Sequence, residues 1–90
     1  MTSRTQIIDD AVHCAHLFRL GRDIEGALKM VDVIDAAMPL LSAGPLQDQA
    51  HLTRIMSAIL QAQERQDWLG VADAVEYELV ALVWGLRDED

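Results

Sequence analysis

Asp9, His13 and His16 recur at i, i+4 and i+7, so one face of a helix would carry a carboxylate and two imidazoles. That spacing can hold a divalent metal ion, and His51 could add a fourth ligand. Such triplets also arise freely in acidic helices, and no zinc-type spacing accompanies this one. We therefore read the two histidines as facing solvent beside an acid. Cys14 lies between them in sequence but a hundred degrees round the helix from His13, on the apolar side. It reads as a small core residue rather than a nucleophile. Asp73 and Glu76 are one turn apart, with Glu78 further round. Paired carboxylates can exchange protons with a substrate, but no nucleophile or oxyanion donor stands near them in the pattern. Asp32 and Asp35 are read in the same way, as a solvated face. There is no glycine-rich phosphate loop and no nucleophile elbow. The expectation is a protein without catalytic residues, metal or cofactor, and not an enzyme.

The chemistry that remains is that of surfaces. The chain has 90 residues and a net charge of −8, which fits one domain over 1–90 with a thin core. Its basic residues are scattered singly, so no basic patch forms to hold a phosphate backbone. The acidic surface repels anionic lipid for the same reason, and no apolar run reaches the length of a membrane span. We expect neither nucleic acid nor membrane as a partner. One cysteine rules out an internal disulfide. With no apolar leader near the start, the expected location is the cytoplasm.

Alanine and leucine dominate, and aromatics are few, which favours helix over strand. Four helical segments follow, at about 3–20, 23–42, 45–65 and 67–86. Ser3 with Gln6 fits a capping box at the first start, and Gly21 suits its end. Asp23 is a good cap for the second segment, whose apolar face is taken as Ile24, Ala27, Leu28, Val31, Ile34, Met38 and Leu41. Glu25 and Lys29 are placed for an i,i+4 ion pair. Pro39 should stop or kink that helix near its end. Pro45 suits the first position of the third segment, with Leu52, Ile55, Met56, Ile59 and Leu60 inward. Asp67 caps the fourth. Segments two and four share Asp23/Asp67, Gly26/Gly70, Val31/Val75 and Ala37/Ala81. The glycines are read as letting the preceding helix approach across a tight turn. Short turns make sequence neighbours antiparallel. The fold class expected is all-α, a four-helix bundle built from two antiparallel hairpins.

The fourth segment has more apolar surface than a small bundle needs. Trp68, Ala72, Val75, Leu79, Leu82 and Leu86 make a core seam at 4,3 spacing. Nearly opposite lie Leu69, Asp73, Tyr77, Val80 and Trp84. Exposed aromatic strips mark interfaces. The expected partner-binding residues are therefore Leu69, Tyr77, Val80 and Trp84, with Asp73 and Glu76 as an acidic rim. The competing reading makes this helix the centre of the bundle, covered on both sides.

The stretch "IMSAILQAQERQDWLGVADAVEYELVALVWG", residues 55–85, resembles small helical-bundle export chaperones of the FliT type, from bacterial flagellar and type III secretion systems. That resemblance implies a bundle that holds a partner's helix in an apolar groove. The stretch "AVHCAHLFRLGRDIEGALKMVDVIDAAMP" resembles one tetratricopeptide hairpin, with Ala15, Phe18, Ala27 and Pro39 at its small, aromatic, small and proline positions. The unit does not recur with that repeat's period, so no array is expected. Both resemblances imply helical protein–protein recognition. The function expected is an adaptor or chaperone-like module that binds an amphipathic segment of another protein, such as a flagellar or secretion component, or a second copy as a homodimer. The alternative is a small acidic inhibitor of a basic enzyme, such as an immunity protein or antitoxin.

Overall fold

The computed structural model describes residues 3–85, all helix and tight turn with no strand among them. The fold is a four-helix bundle. Helix α1 runs Arg4–Arg19, α2 Asp23–Ser42 and α3 Leu46–Glu64. The closing helix is continuous but changes pitch: α4 (Trp68–Asp73), a π-helical stretch (Ala74–Leu79) and α5 (Val80–Trp84). Leu86, expected in its seam, lies outside the described residues.

Local chemistry sets these ends. The Ser3 hydroxyl accepts from the Gln6 amide at 3.2 Å. The reciprocal half of the capping box is not formed: the Gln6 side chain turns forward along the helix, where its Nε2 donates to Asp10. Gly21 has φ +77, a conformation that suits glycine, and the Arg22 amide returns to the Leu17 carbonyl at 2.9 Å. Asp23 is the first helical residue rather than the cap; Arg22 holds the cap position without a side-chain bond. Pro45 likewise sits one residue before α3, as its cap. Asp67 does cap the closing helix, accepting from the Gly70 amide at 3.0 Å. Pro39 does not stop α2, which continues to Ser42. It falls in the last turns, where a missing N–H disrupts little of the helix beyond it.

Helix α1 is the axis. It buries Ile7, Ala11, Cys14, Ala15, Leu17 and Phe18, and it packs against α2 on one side and the closing helix on the other. Three of these side chains are small, so both neighbours can come close. Helix α3 packs chiefly on the closing helix, while α2 and α3 barely touch. No polar or charged residue among those described is fully buried. The core is therefore held chiefly by apolar burial and shape.

That arrangement overturns the expected face of α2. The residues it buries are Gly26, Met30, Val33, Ala37 and Leu41. Of the expected face only Leu41 is buried and Ala27 and Ile34 are half-buried, while Ile24, Leu28, Val31 and Met38 are exposed. Two other expectations also change. Leu60 of α3 is exposed, and Met56 only half-buried. Glu25 and Lys29 do not pair: Glu25 takes Arg22 at 2.8 Å, and Lys29 reaches Asp10 of α1 at 3.2 Å.

The reason lies in Gly26. A Cβ there would stand 3.0 Å from the Phe18 ring. The ring seats against bare backbone, and this contact turns α2 so that the Gly26 side faces α1. Gly70 works differently: a Cβ there would collide with the capping carboxylate of Asp67, not with the preceding helix. The other matched positions diverge too, since Val75 is buried where Val31 is exposed, and Ala37 is buried where Ala81 is exposed. The likeness between α2 and the closing helix is therefore one of sequence, since even at the start Asp67 caps its helix while Asp23 does not.

Gly26→Ala should lower stability although alanine is the better helix former. The propensity gain is about 1 kcal/mol, and overpacking against a fixed ring costs about 1–3 kcal/mol. We expect a net loss near 1 kcal/mol and a melting temperature several degrees lower. Urea unfolding checks this; an unchanged or higher midpoint would contradict the Phe18 contact.

Candidate functional site: two apolar surfaces

The closing helix carries the first surface. Leu69, Tyr77 and Trp84 are exposed, the two rings at 63% and 60%. Val80 is half-buried against the core. A π turn holds more residues than an α turn, so residues after Ala74 lag behind a uniform 100° wheel. Val80 rotates inward, and Val83, absent from the expected seam, becomes fully buried. Ala72, Val75, Leu79 and Leu82 are buried as the seam requires, and Trp68 is half-buried, stacked on Phe18 with centroids 6.0 Å apart.

The strip is not bare. The Arg4 guanidinium carbon lies 4.8 Å from the Trp84 ring centroid, and Arg4 also donates to the Trp84 carbonyl at 3.1 Å. The Arg19 carbon lies 5.9 Å from the Tyr77 centroid. Arg19 donates to Glu76 at 2.6 Å and to Asp73 at 3.0 Å. The two acids expected to form a rim for a partner are thus already held by α1. Hydrogen bonding to Arg19 lowers the Glu76 pKa, and the same bonds, to Glu76 first and Asp73 second, raise that of Arg19. The group is a clamp that fixes α1 to the π-helical stretch, across an aromatic face.

Helix α2 carries the second surface, which the periodicity did not separate from the core. Ile24, Leu28, Val31 and Met38 are 74, 66, 57 and 43% exposed. With Asp35 they follow 4,3,4,3 spacing, the seam of a coiled coil. Beside this stripe the gap between α2 and α3 opens as a cleft of about 200 Å³, lined by Ala27, Met30, Val31, Ile34, Asp35 and Met56. No cation among the described residues lines it. Lys29 is tied to Asp10 and Arg22 to Glu25, both off the stripe. Asp32 and Asp35 make no ion pair among the described residues.

The residues singled out for chemistry stay apart. Asp9, His13 and His16 are exposed on α1, and His51 is on α3. No group of three or more His, Cys, Asp or Glu among the described residues is arranged to hold a metal ion. Cys14 is buried, and its thiol donates to the Gly26 carbonyl at 3.3 Å. Burial lifts its pKa to about 11, against a smaller downward pull from Lys29. It is a proton-bearing core group at neutral pH, inert as a nucleophile. No helix among the described residues is long and apolar enough to cross a membrane. Comparison with protein-family models, with curated proteins and with solved structures finds no match to this chain.

Two outcomes follow. Because the folded pKa of Glu76 lies below its unfolded value, the clamp's contribution is present at neutral pH and is lost as pH falls below about 4. The stability gap between the protein and Arg19→Gln should therefore narrow on acidification, read from urea midpoints at pH 7 and pH 3; a gap that stays constant would contradict the assignment. Native Cys14 should react with iodoacetamide at pH 8 at least about a hundredfold more slowly than in 6 M urea, and equal rates would contradict its burial.

Proposed function

We propose that this chain is a non-enzymatic helical interaction module of the cytoplasm, an adaptor or chaperone-like protein that holds an amphipathic helix of another protein. The observation that carries this reading is the stripe Ile24, Leu28, Val31 and Met38, a coiled-coil seam that the described residues leave exposed. Taking an aliphatic side chain from full exposure to full burial contributes about 1.5–3 kcal/mol, and these four, 43–74% exposed, have roughly half of that left to gain. Four of them beside an apolar cleft supply enough for a specific complex after the cost of association is met. The mode is a partner helix laid into a groove.

The docking surface we assign is therefore α2 with the Met56 side of α3, not the closing helix. The strip there is interrupted by Asp73, has lost Val80 to the core, and has its two rings capped by Arg4 and Arg19. The reading as an acidic inhibitor has less support at that surface, since Asp73 and Glu76 already have their cation.

A synthetic helical peptide with leucines at 4,3 spacing and glutamine flanks tests the module. Added to ¹⁵N-labelled protein, it should shift the amides of residues 24–38 and those around Met56. Val31→Glu should weaken binding roughly tenfold or more, by leaving a carboxylate in the seam. No shifts, or shifts confined to Tyr77 and Trp84, would overturn the assignment.

A further inference from the structure

The α2 surface also indicates the charge of its occupant. Asp35 stands inside the seam between Val31 and Met38, and it lines the cleft. Asp32 flanks the same stripe. Neither has a cation among the described residues. Met56 is the α3 residue that lines the cleft, and its neighbours at i±3, i±4 and i±7 spacing (Gln49, Leu52, Thr53, Ile59, Leu60 and Gln63) include no base.

A polar residue at a seam position fixes register, and it does so at a cost unless the facing helix answers it. A second copy of this chain cannot answer. Parallel pairing sets Asp35 against Asp35, and antiparallel pairing sets each Asp35 against the aliphatic seam. Both bury unpaired carboxylates between chains that each carry −8. We infer that the α2 stripe and its cleft take an amphipathic helix of another protein that carries lysine or arginine within and beside its apolar seam. One such base faces Asp35 and sets register, while Asp32 draws the other flank. The apolar residues supply affinity, and the carboxylates choose the partner. This rests on the module reading above and goes beyond it.

The test uses three peptides with one leucine pattern and different polar positions: lysine, glutamine or glutamate. Calorimetry at low and high salt measures each against the native chain and against the double variant Asp32→Lys with Asp35→Lys. Both aspartates are exposed, so the variant should keep the native circular dichroism. The lysine peptide should bind about tenfold or more tighter than the glutamate peptide. High salt should shrink that preference, and the double variant should reverse it. Equal binding of all three peptides would overturn the charge inference and leave the module standing. No binding by any peptide would overturn both. Sedimentation supplies the remaining arm: a dimer that Val31→Glu returns to monomer would show a second copy on the stripe and overturn the inference.

Discussion

One contact decides how this bundle is arranged: the Phe18 ring seated on the bare backbone of Gly26. It locks the rotation of α2 about its own axis. Once that side faces α1, Met30, Val33, Ala37 and Leu41 enter the core. The opposite stripe then has nowhere to go, because the neighbour that could cover it, α3, is committed to the closing helix. A bundle of this length has too little chain to sheathe every face. The apolar surplus is thus a consequence of packing, and its place in the fold follows from a single glycine.

The other side of α1 is organised by charge. Arg19 grips Asp73 and Glu76 and lies over Tyr77; Arg4 lies over Trp84. These groups are partly exposed, so each pair is worth little by itself. Their joint effect is positional. They hold α1 against the closing helix along the stretch where its pitch widens, and they set a cation of the same chain against Tyr77 and Trp84, which stay mostly exposed.

Much of this was legible in the residues. Ser3, Gly21 and Asp67 mark helix boundaries through chemistry that acts within a few residues, and the four segments fall close to where they do. Ala72, Val75, Leu79 and Leu82 are legible as a seam because the opposite strip, Leu69, Tyr77, Val80 and Trp84, is interrupted by Asp73 and so ranks second. Helix α2 defeated the same method, since it has two regular apolar faces. Gly26, Met30, Val33, Ala37 and Leu41 are spaced as well as Ile24, Leu28, Val31 and Met38. Periodicity cannot rank them; a contact between two helices does. A glycine flanked by good helix formers was the available signal, and it was read as close approach without the turn of α2 that follows from it. Val80 and Val83 both turn further inward than a uniform wheel places them, because no local signal announces the π turn. Asp73 and Glu76 looked like a free rim because Arg19 is far away in sequence.

An open seam requires α2 to show its Leu28 side to water while hiding its Val33 side. Carbene footprinting of the protein, at a dilution where sedimentation gives the mass of one chain and resolved residue by residue, measures that directly. Heavy labelling of Ile24, Leu28, Val31 and Met38, with Val33, Ala37 and Leu41 protected, is the predicted pattern. If Leu28 and Val31 are instead as protected as Val33, α2 is covered on both sides and there is no open seam to fill.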